Sequence, residues 1–174
     1  MATDNSPPPC GGEKQQRTSD PAKRSEDGSG GGPTSSSAQI IELARDWIGT
    51  PYVHQASLKG VGCDCLGLLR GVFRERFGEE PEDIPPYDPH WDIGGREVLR
   101  EGLARHLTAI ALNTIAPGDI LLFRMVPGAA ARHCGILAED DEQLTLIHAR
   151  QNKRVSEESF SPAWRKKLAY AFRG

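Results

Sequence analysis

No stretch of this 174-residue chain approaches the roughly 18 consecutive apolar residues that a membrane-spanning helix needs. The opening residues, MATDNSPPPCGGEK, lack the basic region and apolar run of a secretory signal, so the chain reads as one made in the cytosol. Cysteine is scarce. The four present, at positions 10, 63, 65 and 134, are too few and too unevenly placed for a disulfide scaffold, and reduced thiols are expected. An excess of one charge is also missing: 21 Lys and Arg stand against 24 Asp and Glu, interspersed, for a net charge of −3. The slightly acidic balance argues against nucleic acid as the main partner, because phosphate binding needs a concentrated positive patch. The length suits one ordinary domain with a tail and rules out a multi-domain machine.

What is there divides in two. Residues 1–37 are almost half Gly, Pro and Ser, with Pro7-Pro8-Pro9 and Gly30-Gly31-Gly32 runs and almost no apolar side chains. Such a segment buries too little surface to offset its ordering entropy and is expected to be a disordered tail, with Cys10 an incidental exposed thiol. The folded domain is expected over 38–174. It opens with a helix in which Ser36 and Gln39 have capping-box spacing and Ile40, Ile41, Ala44, Trp47 and Ile48 form the apolar stripe, stopped by Gly49 and Pro51. A second helix is predicted from Cys65 to Phe77, with Leu68, Leu69, Val72, Phe73 and Phe77 on its apolar face and Gly78 as its stop. The proline-rich stretch 78–95 reads as a long loop that lines a binding site or covers a surface. A third helix is predicted over 95–111, using Val98, Leu99, Leu103, Leu107 and Ile110. The period then changes. Pro117-Gly118-Asp119 signals a turn, and strands are predicted at 120–125, 133–138 and 144–149, the last two joined as a hairpin through the acidic run 139–142. Val155 and 168–172 add further strands. Helices followed by locally paired strands mean an α+β fold with an antiparallel sheet.

Chemistry is concentrated in Gly62-Cys63-Asp64-Cys65-Leu66-Gly67. Asp64 stands at an N-cap position, which puts Cys65 in the first helical turn. Unpaired backbone N–H groups and the helix dipole favour an anion there, so the thiol can fall well below its free value and the same N–H groups can hold an oxyanion. The competing reading of Cys65 is a small buried hydrophobe. Two histidines bear on the choice. His133 begins one hairpin strand and His148 ends the other, so antiparallel pairing makes them neighbours. They are either a base and the group that fixes it, completing the pattern of an activated thiol, or two strand-end rings bonded to backbone or water. His54, His90 and His106 are expected to be solvated, and Cys63, Cys134, Trp47, Trp164 and Phe73 to be packing residues. A zinc module using Cys63, Cys65, His133 and Cys134 is disfavoured, because C-x-C is not the usual structural-zinc spacing.

The order Thr50-Pro51-Tyr52, Gly60-Val61-Gly62-Cys63-Asp64-Cys65-Leu66-Gly67-Leu68, Pro117-Gly118-Asp119-Ile120, His133-Cys134-Gly135-Ile136 and Ile147-His148-Ala149 resembles the NlpC-type cell-wall peptidases, over residues 38–172. Within them, Trp47-Ile48-Gly49-Thr50-Pro51-Tyr52 is most similar to the phage-tail branch that includes the peptidases of gene transfer agents. The resemblance implies a papain-like fold, with Cys65 as nucleophile, His133 as general base and then acid, and His148 orienting it. It places Tyr52 and Asp64 at the oxyanion and substrate-binding region, and needs no metal or other cofactor. The implied substrate is the peptide stem of bacterial peptidoglycan, cut next to D-glutamate by a DL-endopeptidase. The implied partners are phage-like tail-tip or hub proteins, with no nucleic acid and no membrane, and the enzyme would act at the cell wall from a particle. Leu66 departs from the family, where many members have Ser. The alternatives are a papain-like amidase or acyltransferase on another substrate, or a catalytically idle tail-assembly protein.

Overall fold

The computed structural model describes residues 36–87 and 95–174. Residues 1–35 of the expected tail, with Cys10, and Pro89 and His90 therefore lie outside the described residues, while Ser36 and Ser37, expected in the tail, open the first helix. The chain enters on helix α1 (Ser36–Arg45), which buries Ile40, Ile41 and Ala44. A turn segment over 46–49 carries Trp47 into the core before Gly49, at φ +90°, ends the run. The expected capping box does not form as such: Ser36 Oγ and Gln39 Oε1 both accept from Arg76 of the next helix. Ile48 was expected on the apolar stripe but is 46 % exposed, because the helix has already unwound where it stands.

A two-residue hairpin, β1 (Ser57–Leu58) and β2 (Gly62–Cys63), leads into helix α2 (Cys65–Phe77). The bounds of α2 follow from its ends. Asp64 accepts the Gly67 N–H at 2.7 Å as N-cap. Gly78 takes φ 86° and donates its N–H to the Arg74 carbonyl. Two glycines let α2 pack closely. A Cβ on Gly67 would lie 1.9 Å from the Ala56 carbonyl oxygen, and one on Gly71 would lie 2.0 Å from the Trp47 indole. Phe77, expected on the apolar face, is 55 % exposed at the helix end.

The third helix is shorter than its apolar spacing suggests. α3 spans Val98–Ala104, and residues expected to continue it form β3 (Thr108–Ile110). Only Leu99 is buried in α3, and Val98 is 40 % exposed. The remaining strands are β4 (Ile120–Phe123), β5 (His133–Asp140), β6 (Gln143–His148), β7 (Ser156–Ser159) and β8 (Leu168–Arg173), with a one-turn helix α4 (Pro162–Arg165) before β8. They form a six-stranded antiparallel sheet in the order β3-β8-β4-β5-β6-β7. The hairpin turn narrows to Asp141-Glu142, both at positive φ, and Glu139 and Asp140 belong to β5.

Both faces of the sheet are covered. Ile120, Leu122, Cys134, Ile136, Ile147 and Phe172 pack with the apolar faces of α1 and α2. On the other face Leu121, Phe123, Leu137, Leu146 and Ala171 pack with Phe160 and Trp164 from the β7–α4 segment. Double-sided burial explains why β4 reads as four consecutive apolar residues rather than an alternating strand.

Candidate active site

Helix α2 starts where β5 starts. Cys65, in its first turn, has its Sγ 3.9 Å from the Arg132 carbonyl oxygen, just ahead of His133. The two histidines meet as hairpin geometry requires: His133 Nε2 lies 2.9 Å from His148 Nδ1. His148 is fully buried and His133 half-buried. Gly135 makes that approach feasible, since a Cβ there would sit 3.0 Å from His148 Cβ and 2.9 Å from the Ile147 carbonyl oxygen. Trp164 of α4 stacks on His133, with centroids 5.6 Å apart, and meets His148 edge-on at 4.9 Å. It was expected to be a packing residue, and it is one, but what it packs against is the histidine pair.

The Cys65 thiol is held well below its ordinary value. The largest cause is a hydrogen bond from the Cys134 thiol, followed by burial acting the other way, and then by the hydrogen bond and charge of His133; the Asp64 carboxylate opposes ionisation. Cys134 points into the core as expected and is pushed strongly up by its link to Cys65 and by burial, so it stays the thiol of the pair. Burial pushes Cys63 up to about 12, and it is fully buried. Of the three described cysteines, Cys65 is the one whose surroundings favour the thiolate. Burial lowers His148 to about 4, so its ring is neutral near physiological pH.

Asp64 does more than cap. Its Oδ1 takes the Gly67 N–H, and its Oδ2 accepts from Gln55 N–H at 2.8 Å and from the Tyr87 hydroxyl at 2.6 Å. His54 Nδ1 lies 3.4 Å from the same oxygen, and His54 Nε2 lies 3.0 Å from the Tyr87 carbonyl oxygen. His54 was expected to be solvated; the proline-rich loop instead folds Tyr87 back over it. Glu80, held by Arg70 and Arg74 of α2, anchors the start of that loop. His106, expected on a helix and solvated, lies beyond the end of α3 with its Nε2 3.4 Å from Glu82.

A cleft of about 680 Å³ opens over these groups and is lined by Tyr52, Asp64, Cys65, Tyr87, His133 and Trp164, with Leu66 beside the thiol. Burial and then the neighbouring Cys65 and Asp64 push the Tyr52 phenol up to about 12, so it remains a hydrogen-bond donor. Among the described residues no group of three or more His, Cys, Asp and Glu side chains is arranged to hold a metal ion. Sequence reasoning missed Tyr87, Trp164 and Glu158, whose carboxylate lies 3.1 Å from His148 Nε2. None of the three carries a local signal, because each reaches the site through a loop or a distant strand.

The NlpC/P60 family profile matches residues 49–173. The chain is 30 % identical over 137 residues to the murein DD-endopeptidase MepS/murein LD-carboxypeptidase of Escherichia coli (strain K12), covering 78 % of this chain and 62 % of that protein. It is 26 % identical over 118 residues to the gamma-DL-glutamyl hydrolase of Bacillus subtilis (strain 168), covering 67 % of this chain and 24 % of that protein. The chain thus spans less than two thirds of the length of these curated relatives. Among solved structures it superposes on the NlpC/p60 domain of the peptidoglycan hydrolase SagA with a TM-score of 0.52 at 25 % identity, over 79 % of this chain and 98 % of that one. An NlpC/P60 family protein from Bacillus cereus ATCC 10987 gives a TM-score of 0.56 at 20 % identity, over 81 % and 41 %, a likeness of fold alone. The α+β arrangement of helices on an antiparallel sheet is therefore the papain-like one.

Proposed function

This chain belongs to the NlpC/P60 family, and from that premise we propose that it is a cysteine endopeptidase acting on the peptide stems of bacterial peptidoglycan. The observation that carries the proposal is the convergence of a thiol at a helix N-terminus and the His133 imidazole in one cleft, with the buried His148 imidazole 2.9 Å behind His133. In the proposed mechanism the Cys65 thiolate attacks an amide carbonyl. The oxyanion is held by the Cys65 N–H in the first turn of α2 and by the Tyr52 hydroxyl, and one such donor is worth about 3–4 kcal/mol. With His133 Nε2 committed to His148, Nδ1 is the nitrogen that takes the thiol proton and passes it to the leaving amine. Water, deprotonated by the same ring, then cleaves the thioester, and the thiol leaves with its proton restored.

The bond proposed is the one beside D-glutamate. The resemblance of the nucleophile region supports it, as does the name of the Bacillus subtilis relative. A second reading, cleavage between two D-residues, is favoured by the name of the Escherichia coli relative. Incubating the full chain with purified peptidoglycan and identifying the new amino termini separates the two. Cys65→Ala is expected to abolish cleavage while melting like the parent, and cleavage that persisted in that variant would reject the mechanism. The likeness of residues 47–52 to the phage-tail and gene-transfer-agent branch supports a place in a phage-like tail, at which the enzyme meets the wall. Co-sedimentation with particles is the expected result, and its absence counts against that placement.

A further inference from the structure

The chain of contacts from Cys65 through His133 does not end at His148. His148 is fully buried, and its Nδ1 is engaged by His133. Its Nε2 lies 3.1 Å from Glu158 Oε1, at an angle that leaves the ring nitrogen without an in-line hydrogen bond. Glu158 is opposite Leu146 in the β6–β7 register, so it shares the face of the sheet on which His148 lies. Its carboxylate is held in place: Trp164 Nε1 donates to Oε1 at 2.9 Å and Arg150 Nη1 at 3.3 Å. The same Trp164 ring packs on both imidazoles. Carboxylate, indole and two imidazoles form one packed block.

A proton count gives the block its meaning. If His133 is to accept the thiol proton on Nδ1, its own N–H must be on Nε2, and His148 Nδ1 must receive it. The His148 proton is then on Nε2, and a buried N–H needs an acceptor. A carboxylate is an acceptor only, so it selects that tautomer against the other. Imperfect alignment before substrate binds is common in catalytic hydrogen-bond chains, which tighten in the bound complex. We propose that Glu158 is a positioning residue of this site: it holds His148 as the Nε2–H tautomer and, through it, stabilises the imidazolium that forms on His133. The ionisable groups facing His148 are His133 from β5, Glu158 from β7 and Arg150 from the segment after β6. Glu158 can supply charge there because it stays ionised. Burial alone would raise its carboxyl, but the Trp164 N–H, His148 and Arg150 together hold it below the ordinary range.

The kinetic part of this inference rests on the peptidase reading; the tautomer does not. The test uses the full chain labelled with ¹⁵N-histidine. Long-range ¹⁵N–¹H spectra near neutral pH are expected to show His148 protonated on Nε2. Glu158→Gln keeps an acceptor for that N–H and for Trp164 but removes the charge. It is expected to preserve the tautomer and to lower the His133 titration by about half a unit or more. It should also reduce kcat on purified peptidoglycan about tenfold with KM unchanged. Glu158→Leu removes the acceptor and is expected to mix the two tautomers. A residue that only anchored α4 would leave the His133 titration in place. Nδ1 protonation of His148 in the parent chain, or an unmoved His133 titration in a folded Glu158→Gln, overturns the proposal. Should the parent chain fail to cut peptidoglycan while both spectroscopic results hold, the relay stands and the substrate assignment falls.

Discussion

Asp64 acts on Cys65 in two opposing ways. As N-cap it fixes the start of α2, and so sets the sulfur among the first-turn N–H groups where a thiolate is favoured. As a buried negative charge next door it disfavours that same thiolate. The hydrogen bond from Cys134 and the pairing with His133 decide the balance in favour of ionisation. Asp64→Asn is therefore expected to shift the alkylation profile of Cys65 to lower pH, because the opposing charge is gone. The same change should cost about 1–2 kcal/mol of stability, because the Gln55 N–H and Tyr87 hydroxyl lose a charged acceptor. Iodoacetamide rates against pH and a thermal melt check both, and a shift to higher pH would contradict the electrostatic account. At this scale the cap and the first-turn position of Cys65 were legible, because the two are neighbours in sequence. The part played by Cys134 was not legible, since a strand residue facing the core carries no mark of the helix end that will meet it.

At the level of elements, the α1–α2 contact illustrates two local rules in conflict. Helix propensity favours Ala over Gly by about 1 kcal/mol, so Gly71→Ala would stabilise an isolated helix. In the folded chain the added methyl meets the Trp47 indole at 2.0 Å, and that ring is fully buried and tied by its Nε1 to Glu75 at 3.1 Å. Overpacking of this kind costs about 1–3 kcal/mol, which exceeds the propensity gain. A drop in melting temperature of roughly 2–6 °C is expected, and a rise would show that Trp47 relocates freely. The same competition explains the third helix. Leu103, Leu107 and Ile110 have helical spacing, but Thr108–Ile110 pairs with β8, and strand pairing outweighs the apolar period beyond Ala104. Helix α4 is a single turn, too short to leave a periodic trace, although its Trp164 supports both imidazoles.

For the whole molecule, burying a neutral imidazole makes stability depend on pH. Burial is the main cause that lowers His148 from 6.5 to about 4. Between those values the unfolded chain binds a proton that the folded chain refuses. Its contribution is complete above about 6.5 and is lost as pH falls toward 4, on the order of 3 kcal/mol in all. Denaturant melts across that window are expected to weaken steadily for the parent chain and to be flatter for His148→Asn; identical slopes would refute the assignment. At lower pH the carboxylates of Glu80, Glu157 and Glu158, all depressed in the fold, add a second loss.

What the sequence by itself determined was whatever a few neighbouring residues could impose: the N-cap and stop of α2, the hairpin that brings His133 to His148, and the α+β order of elements. Those features depend on backbone geometry and short loops, so their signals are local. Only the tertiary structure decided which groups surround them. Tyr87 reaches Asp64 through a proline-rich loop, and Glu158 and Trp164 reach His148 from β7 and α4. The reason is physical: these contacts are selected by packing across a sheet covered on both faces, and side chains brought together in that way need no relation along the chain.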